Sequence, residues 1–354
     1  MHKKRTIAPE SLSCPLPKTD YDTIQLAHGA GGKLTAQLIE TLFLPRFGNQ
    51  TLNALEDQAQ LTLPPGRVSF STDSFVVEPL FFPGGNIGDL AINGTVNDVA
   101  MCGATPLYIS VSFILEEGLP LKTLHRILCT MEAAAKAAGV SVATGDTKVV
   151  NHGQCDQLFI TTTGLGVVDD KVHISVRNLQ VGDAILLSGF IGDHGMAVLT
   201  SREGLSFQNQ VLSDTAPLND LVAHMLAVSS HLHALRDPTR GGVAATLNEM
   251  AQASQVGIRI YEERLPVRPD VQGACEILGI DPLYVANEGK LIAVLPEKDA
   301  HRVLNAMQAH PQGHQAVRIG EVTEEHPGQV VMQTTLGTQR IVELPLGEQL
   351  PRIC

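Results

Sequence analysis

Positive charge is in short supply in this chain. Its 25 Lys and Arg residues stand against 37 Asp and Glu, a formal charge of -12, which opposes non-specific binding to nucleic acid or to an anionic membrane surface. Tryptophan is absent, and the 354 residues are 44% hydrophobic and 18% charged with 32 glycines and 20 prolines, the composition of a globular, turn-rich protein and not of a disordered one. Long apolar runs are missing too. None would span a bilayer, and the basic start His2-Lys3-Lys4-Arg5 leads into a stretch broken by Pro9, Pro15 and Pro17, without the apolar core of a signal peptide. The cytoplasm is the expected compartment. The cysteines, at positions 14, 102, 129, 155, 275 and 354, include no C-x-x-C pair, which argues against a zinc cluster or a redox dithiol. Cys354 differs from the others because it is the last residue.

A length of 354 residues fits two medium domains. Residues 1–22 read as a leader, 23–178 as a first domain, 179–338 as a second and 339–354 as a mobile tail that contributes little to folding. In the first domain, Val68 to Phe70 reads as a strand ending in the polar loop Ser71-Thr72-Asp73. Ile87 to Met101 reads as a helix and Leu107 to Leu115 as a strand. Leu121 to Ala138 is an alanine-rich helix, and Val140 to Ala143 a short strand running into Thr144-Gly145-Asp146-Thr147-Lys148. Leu158 to Val168 is a further strand. The second half alternates strands near 184–187, 258–261 and 290–295 with helices near 195–202, 241–253 and 299–309. Both halves are therefore mixed α/β. The tail has no useful period, and fully extended its residues reach roughly 50 Å, far enough to move between a buried site and an outside partner.

The first glycine-rich stretch, His28-Gly29-Ala30-Gly31-Gly32-Lys33, opens a helix, so backbone N–H groups there can approach a phosphate. It is not a Walker A loop, because Ala27 and Leu34 stand where that motif needs Gly and Ser or Thr. A helix-entry turn is the alternative reading. Gly164-Leu165-Gly166 fails as a dinucleotide fingerprint because Asp169 takes the third glycine position. Asp57, Asp73, Asp98, Asp146 and Asp237 sit at the expected ends of elements. Each alone could be a turn former or cap, and together they suit a magnesium-nucleotide site. Lys33 and Lys148 are candidates to neutralise phosphate, and His194 in Gly192-Asp193-His194-Gly195 to hydrogen-bond it. Glu288, in Asn287-Glu288-Gly289-Lys290, precedes an apolar strand.

Several stretches taken together resemble the HypE hydrogenase-maturation family. They are Phe70 to Phe75, Pro79 to Gly88, Gly94 to Met101, Thr144 to Val150, Gly192 to Gly195, Asp237-Pro238-Thr239-Arg240-Gly241-Gly242, Asn287 to Lys290 and the terminal Pro351-Arg352-Ile353-Cys354. The resemblance runs from about residue 23 to the end. It implies a two-domain α/β fold like that of aminoimidazole ribonucleotide synthetase (PurM-like), a homodimer paired through the N-terminal domains, and ATP and Mg2+ as cofactors. Carried over by motif, Asp57, Asp73, Asp98 and Asp237 form the metal set. Gly29, Gly31, Gly32, Lys33, Asn97, Asp146, Thr147 and His194 lie on the nucleotide, and Glu288 and Lys148 stand around Cys354. The implied reaction is ATP-dependent dehydration of an S-carbamoyl group on Cys354 to a thiocyanate, with Glu288 as base and Lys148 polarising the carbamoyl group. The carbamoyltransferase HypF and an iron-carrying HypC-HypD complex are the implied partners, with no role for nucleic acid or membrane. A carrier that merely holds the group, or another synthetase of the same ATP-binding group, is the alternative. The thiol itself is expected to be ordinary, with its α-carboxylate and Arg352 acting in opposite directions.

Overall fold

Two runs of buried apolar residues, one before Val168 and one after Leu179, build two separate sheets in the computed structural model. It describes residues 21–204, 210–345, 347 and 352–354, so all of the expected leader except Tyr21 and Asp22 lies outside the described residues. Lys33–Leu38 (α1) and Leu44–Phe47 (α2) are joined by a π turn at Ile39–Phe43. Then follow β1 (Arg67–Phe75), a short hairpin of β2 (Phe81–Phe82) and β3 (Gly85–Asn86), and α3 (Ile87–Ala100). The half closes with β4 (Thr105–Glu116), α4 (Leu121–Ala138), β5 (Ser141–Val150) and β6 (Leu158–Val168). The first sheet runs β1-β6-β4-β5, with only β4 and β5 parallel.

One face of this sheet carries α3 and α4. Helix α3 starts with a reciprocal cap: Asn86 Oδ1 accepts from Gly88 N at 2.8 Å while Asp89 accepts from Asn86 N at 2.7 Å. It then lies close on β6, because Gly164 and Gly166 present no side chain there. A Cβ on Gly164 would stand 2.7 Å from Thr95 and 2.8 Å from Val99. The opposite face of the sheet is open, and Val68, Phe70 and Ile114 are exposed on it.

The second sheet runs β13-β12-β9-β11-β7-β10-β8. In chain order its elements are β7 (Asp183–Leu187), α5 (Asp193–Arg202), α6 (Asn219–Val228), β8 (Ala234–Arg236), α7 (Gly242–Ser254), β9 (Gly257–Tyr261) and α8 (Pro269–Leu278). They continue with β10 (Ile292–Pro296), α9 (Glu297–Gln308), β11 (Val317–Thr323), β12 (Val330–Gln333) and β13 (Gln339–Val342). Strands β7 and β10 read as unbroken apolar runs because both their faces are covered. Ile185 and Ile292 pack with Val243 and Leu247 of α7, while Leu186 and Ala293 pack with Leu221 of α6 and Val303 of α9. Among the described residues no helix is long and apolar enough to cross a membrane.

Three expectations are corrected. Asp73 lies within β1 and not in a loop beyond it, and Asp146 to Lys148 lie within β5, which stays paired with β4 as far as Val150. Lys148 is polar because it lies on the exposed face of the sheet, whereas Asp73 is on the opposite face with Phe75 and Thr147 is in register with Phe113. The expected tail begins with a strand, β13, which pairs with β12; only Val342 of it is buried, so it leaves almost no hydrophobic pattern. The helices α6 and α8 and the strands β8, β11 and β12 were not foreseen.

The tight seat of α3 gives a test. Gly164→Ala pushes a methyl group into Thr95 and Val99, and overpacking of this kind costs about 1–3 kcal/mol. Urea unfolding should show a lower midpoint at unchanged slope; an unchanged midpoint would mean that the helix can slide away freely.

Candidate active site

A cavity of about 200 Å³ opens where the two halves meet. Thr72 and Asp73 reach it from β1, Asp98 from α3, Asp237 and Arg240 from the turn after β8, Glu288 from the turn before β10, and Cys354 from the chain end. Asp98 is oriented by Ser71 Oγ, which donates to it at 2.7 Å. Asp237 is placed through its neighbour Pro238, whose carbonyl accepts from the side chain of Asn287 at 2.9 Å and from its backbone N at 3.1 Å. The same Asn287 side chain accepts from Gly192 N at 2.8 Å.

Glu288 is held by its own backbone. Its N donates to Asp214 at 3.1 Å and its carbonyl accepts from Asn97 Nδ2 at 3.3 Å. Asp214 also accepts from Gly289 N at 3.2 Å and from Lys290 Nζ at 3.0 Å. Gly289 is obligatory, since a Cβ there would come within 1.8 Å of the Asp214 carbonyl oxygen. Asp214 stays ionised: burial opposes this, but Lys290, His194 and the backbone donors bring its carboxyl below the usual range.

The carboxyls in the cavity behave in the opposite way. Burial first, then Asp98 and Asp73, push Asp237 up to about 7. Burial raises Asp73 and Asp98 as well, with Asp98 adding to the effect on Asp73. Glu288 is raised well above the carboxylate range by burial and by the surrounding acids, and its Oε1 is buried without a hydrogen-bond partner. Buried like charges at close range demand a cation or protons. The donor set of several carboxylate oxygens beside an orphaned one suits a hard divalent ion such as Mg2+.

Residues 352–354 lie in this cleft and not in solvent. Val76 N donates to a terminal carboxylate oxygen of Cys354 at 3.2 Å and Glu78 N to the Arg352 carbonyl at 3.2 Å, while Ile353 is 3% exposed within the first core. The tail end is thus packed structure, contrary to expectation, because Ile353 is an apolar anchor. Nor is the thiol ordinary. Burial and the facing Glu288 push Cys354 up to about 12 against the pull of Arg240, so it rests as a neutral thiol.

Asp73, Asp98, Asp237, Glu288 and Cys354 are therefore brought together. Other expected residues lie elsewhere. Lys148 is exposed on β5, in register with Ile114, and so points to the open face of the sheet, with β4 and β6 between it and β1. Asp57 is on an exposed loop. Asn97 spends its amide on structure: it donates to Ala216 O at 3.1 Å and to Glu288 O, and accepts from Leu218 N at 2.8 Å. His194 is fully buried, with Nδ1 2.8 Å from Ser213 Oγ and Nε2 2.8 Å from the Ile353 carbonyl oxygen, so it grips the tail and has no nitrogen left for phosphate. Gly29 packs against Val149 of β5, where a Cβ would come within 2.6 Å of the Val149 backbone N. Gly31, at φ 76, and Gly32 form the exposed turn before Lys33, which is itself exposed. Asp146 and Thr147 line a second cavity of about 140 Å³ with Thr35, Phe43, Phe47 and Val111. Sequence reasoning gave no role to Arg240, although it is the one cation of its motif. Asp214 sits in a segment without period and offered no signal.

Two compact α/β halves with an acidic cleft at their seam define the chain as an AIR synthase related protein. Models of the N-terminal and C-terminal domains of that class match residues 55–168 and 180–333. A carbamoyl dehydratase HypE of Azotobacter vinelandii is 55% identical over 332 residues, covering 94% of this chain and 97% of that one. The crystal structure of a hydrogenase maturation protein HypE in complex with ATP superposes with a TM-score of 0.91 at 49% identity, over 94% of this chain and 100% of the other. A chain of a HypE-HypF complex matches at a TM-score of 0.77 and 48% identity, over 87% and 99%. The chain belongs to the HypE family.

The raised carboxyls have a sign that can be measured. A group whose pKa is raised on folding adds stability below its unfolded pKa and loses it as pH climbs through the folded value, here from 3.8 through about 7 for Asp237. Asp237→Asn should therefore melt close to wild type at pH 4 in EDTA and increasingly above it as the pH is raised to 8. Added Mg2+ should raise the wild-type midpoint more than that of the variant. A constant difference between the two proteins across this pH range would show that the acids do not strain one another.

Proposed function

We propose that this chain uses ATP to dehydrate a carbamoyl group carried on the sulfur of its own Cys354, leaving a thiocyanate that supplies cyanide ligands to the iron of a nickel-iron hydrogenase. The observation that carries the reading is a single cavity holding the Cys354 thiol, the Glu288 carboxyl with its Oε1 unpartnered, and three aspartates whose carboxyls are all raised. In the balanced reaction the thiocarbamate S-C(=O)-NH2 and ATP give S-C≡N, ADP and phosphate. The γ-phosphoryl group passes to the carbonyl oxygen, turning it into a leaving group. The nitrogen loses both protons, and the C–O bond breaks as phosphate departs.

Mg2+, when bound, supplies charge against the phosphates, and Asp73, Asp98 and Asp237 are the residues that would hold it. Glu288 takes a nitrogen proton. Its raised pKa keeps it protonated while the acids around it are uncompensated, so it becomes a base only when added positive charge lowers it. Arg240 stands beside the sulfur, where it offsets negative charge built up on the thiocarbamate. The glycine turn and the second cavity, with its apolar floor and the polar Thr35, Asp146 and Thr147, suit a nucleobase.

The chain works as a homodimer in this reading. Pairing through the open face of the first sheet would cover Val68, Phe70 and Ile114 and bring Lys148 to a shared surface, from which it and Asp57 would complete a neighbour's site. HypF is the proposed source of the carbamoyl group and a HypC-HypD complex the acceptor of the cyanide.

With carbamoyl already on Cys354, MgATP should remove the mass of one water from the C-terminal peptide, and Glu288→Gln should slow this by roughly 100-fold or more. Retention of the full carbamoyl mass by wild type would leave a carrier in place of an enzyme; an undiminished rate in the variant would remove Glu288 as the base. Phe70→Asp should give a monomer by light scattering with little dehydration. A dimeric, active Phe70→Asp protein would take the open face out of the assembly.

A further inference from the structure

The main-chain oxygen of each of the last three residues has its own donor. Arg352 O accepts from Glu78 N at 3.2 Å and from Arg202 Nη2 at 2.6 Å, Ile353 O from His194 Nε2 at 2.8 Å, and Cys354 O from Val76 N at 3.2 Å. The two backbone donors belong to the first half. His194 and Arg202 both project from α5 of the second.

The proton on His194 is placed by its acceptor-only partner. The Ile353 carbonyl can only accept, so Nε2, 2.8 Å away, carries the proton. In the neutral ring Nδ1 is then an acceptor, and the Ser213 hydroxyl donates to it at 2.8 Å while accepting from Thr215 N at 3.2 Å. The ring is fully buried edge-on to Phe82 at 5.3 Å, and burial holds it in the neutral form that this pattern requires. Arg202 reaches the surface side of the same strand, donating to Glu78 O at 2.9 Å through Nε and at 2.7 Å through Nη2 as well as to Arg352 O.

We propose that His194 is a positioning residue that, with Ser213 behind it and Arg202 alongside, latches the tail through its main-chain oxygens and so holds the Cys354 sulfur at Glu288. Main-chain oxygens are the same whatever the side chain carries, so the latch works equally on a free and on a modified Cys354. The residue after Ser213 is Asp214, which fixes the backbone of Glu288. One loop thereby sets both the sulfur and the proposed base. The inference deepens the dehydratase reading, and its importance for turnover rests on that reading, but docking itself is seen through thiol accessibility without ATP.

The test is alkylation of the full-length protein by iodoacetamide, with Cys354 followed by peptide mass and the buried Cys275 as a reporter of unfolding. His194→Phe keeps a ring against Phe82 but loses the donor, and should speed Cys354 labelling by roughly tenfold, the weight of one buried hydrogen bond in an opening equilibrium. His194→Gln, whose amide can still donate to Ile353 O, should stay within about threefold of wild type. Arg202→Met, on the surface side, should also accelerate labelling. Unchanged Cys354 rates in both His194→Phe and Arg202→Met overturn the latch; if His194→Phe also exposes Cys275, the Arg202→Met rate decides alone. A wild-type protein that fails to dehydrate while these rates still separate would sink the dehydratase reading and leave the latch standing.

Discussion

The carboxamide of Asn287 is the contact on which the site depends. From full burial it accepts from Gly192 N and donates to the Pro238 and Val285 carbonyls, so three loops distant in sequence meet at one side chain. Gly192 begins the helix that carries His194 and Arg202, Pro238 follows Asp237, and Asn287 precedes Glu288. Replacing this amide with an apolar group would strand the buried Gly192 N and the Val285 carbonyl, each at a cost of about 1–3 kcal/mol, and leave the Pro238 carbonyl held by the backbone N of residue 287 alone. Asn97 plays the matching part from the first half, tying α3 to the segment 216–218 and to the carbonyl of Glu288.

Such fixing is needed because the cavity works against folding. Asp73, Asp98, Asp237 and Glu288 converge where burial raises all four and the neighbouring acids add to the effect on Asp73, Asp237 and Glu288. Left to themselves these side chains would move apart. The apolar layers of both sheets and the amide ties supply the stability that keeps them close, which is how sites of high ligand affinity are commonly built.

The fold was legible where local pattern and burial coincide. Helix α4 was read with its observed bounds, because its apolar residues recur at helical spacing and Gly139 ends it at φ 72. Strand β6 was equally clear. Asp73 and Lys148 imitate turn residues for different reasons: Lys148 lies on the solvent face of β5, and Asp73 points from β1 into the cleft beside α3, where the sheet has polar company in place of a core. The acids at 73, 98 and 237 stand together in the sequence only in the company of Asp57 and Asp146, as acids at the expected ends of elements; the motif resemblance removes Asp146 from the set and keeps Asp57. What no local pattern could show was the docking of the tail, since the partners of Arg352 to Cys354 are at 76, 78, 194 and 202, and the structural use of His194 and Asn97, whose side chains look the same in a sequence whether they bind a ligand or a neighbouring loop.

The neutral state of the Cys354 thiol bears on the lifetime of the protein between turnovers. Sulfur is oxidised through its thiolate, and the first step, to a sulfenic acid, is faster the larger the ionised fraction and the freer the access. A pKa pushed up to about 12 leaves almost none ionised at neutral pH while the tail is docked. The cleft is therefore also a sheath: while residues 352–354 are docked, the sulfur of Cys354 is kept in the form that peroxide attacks least.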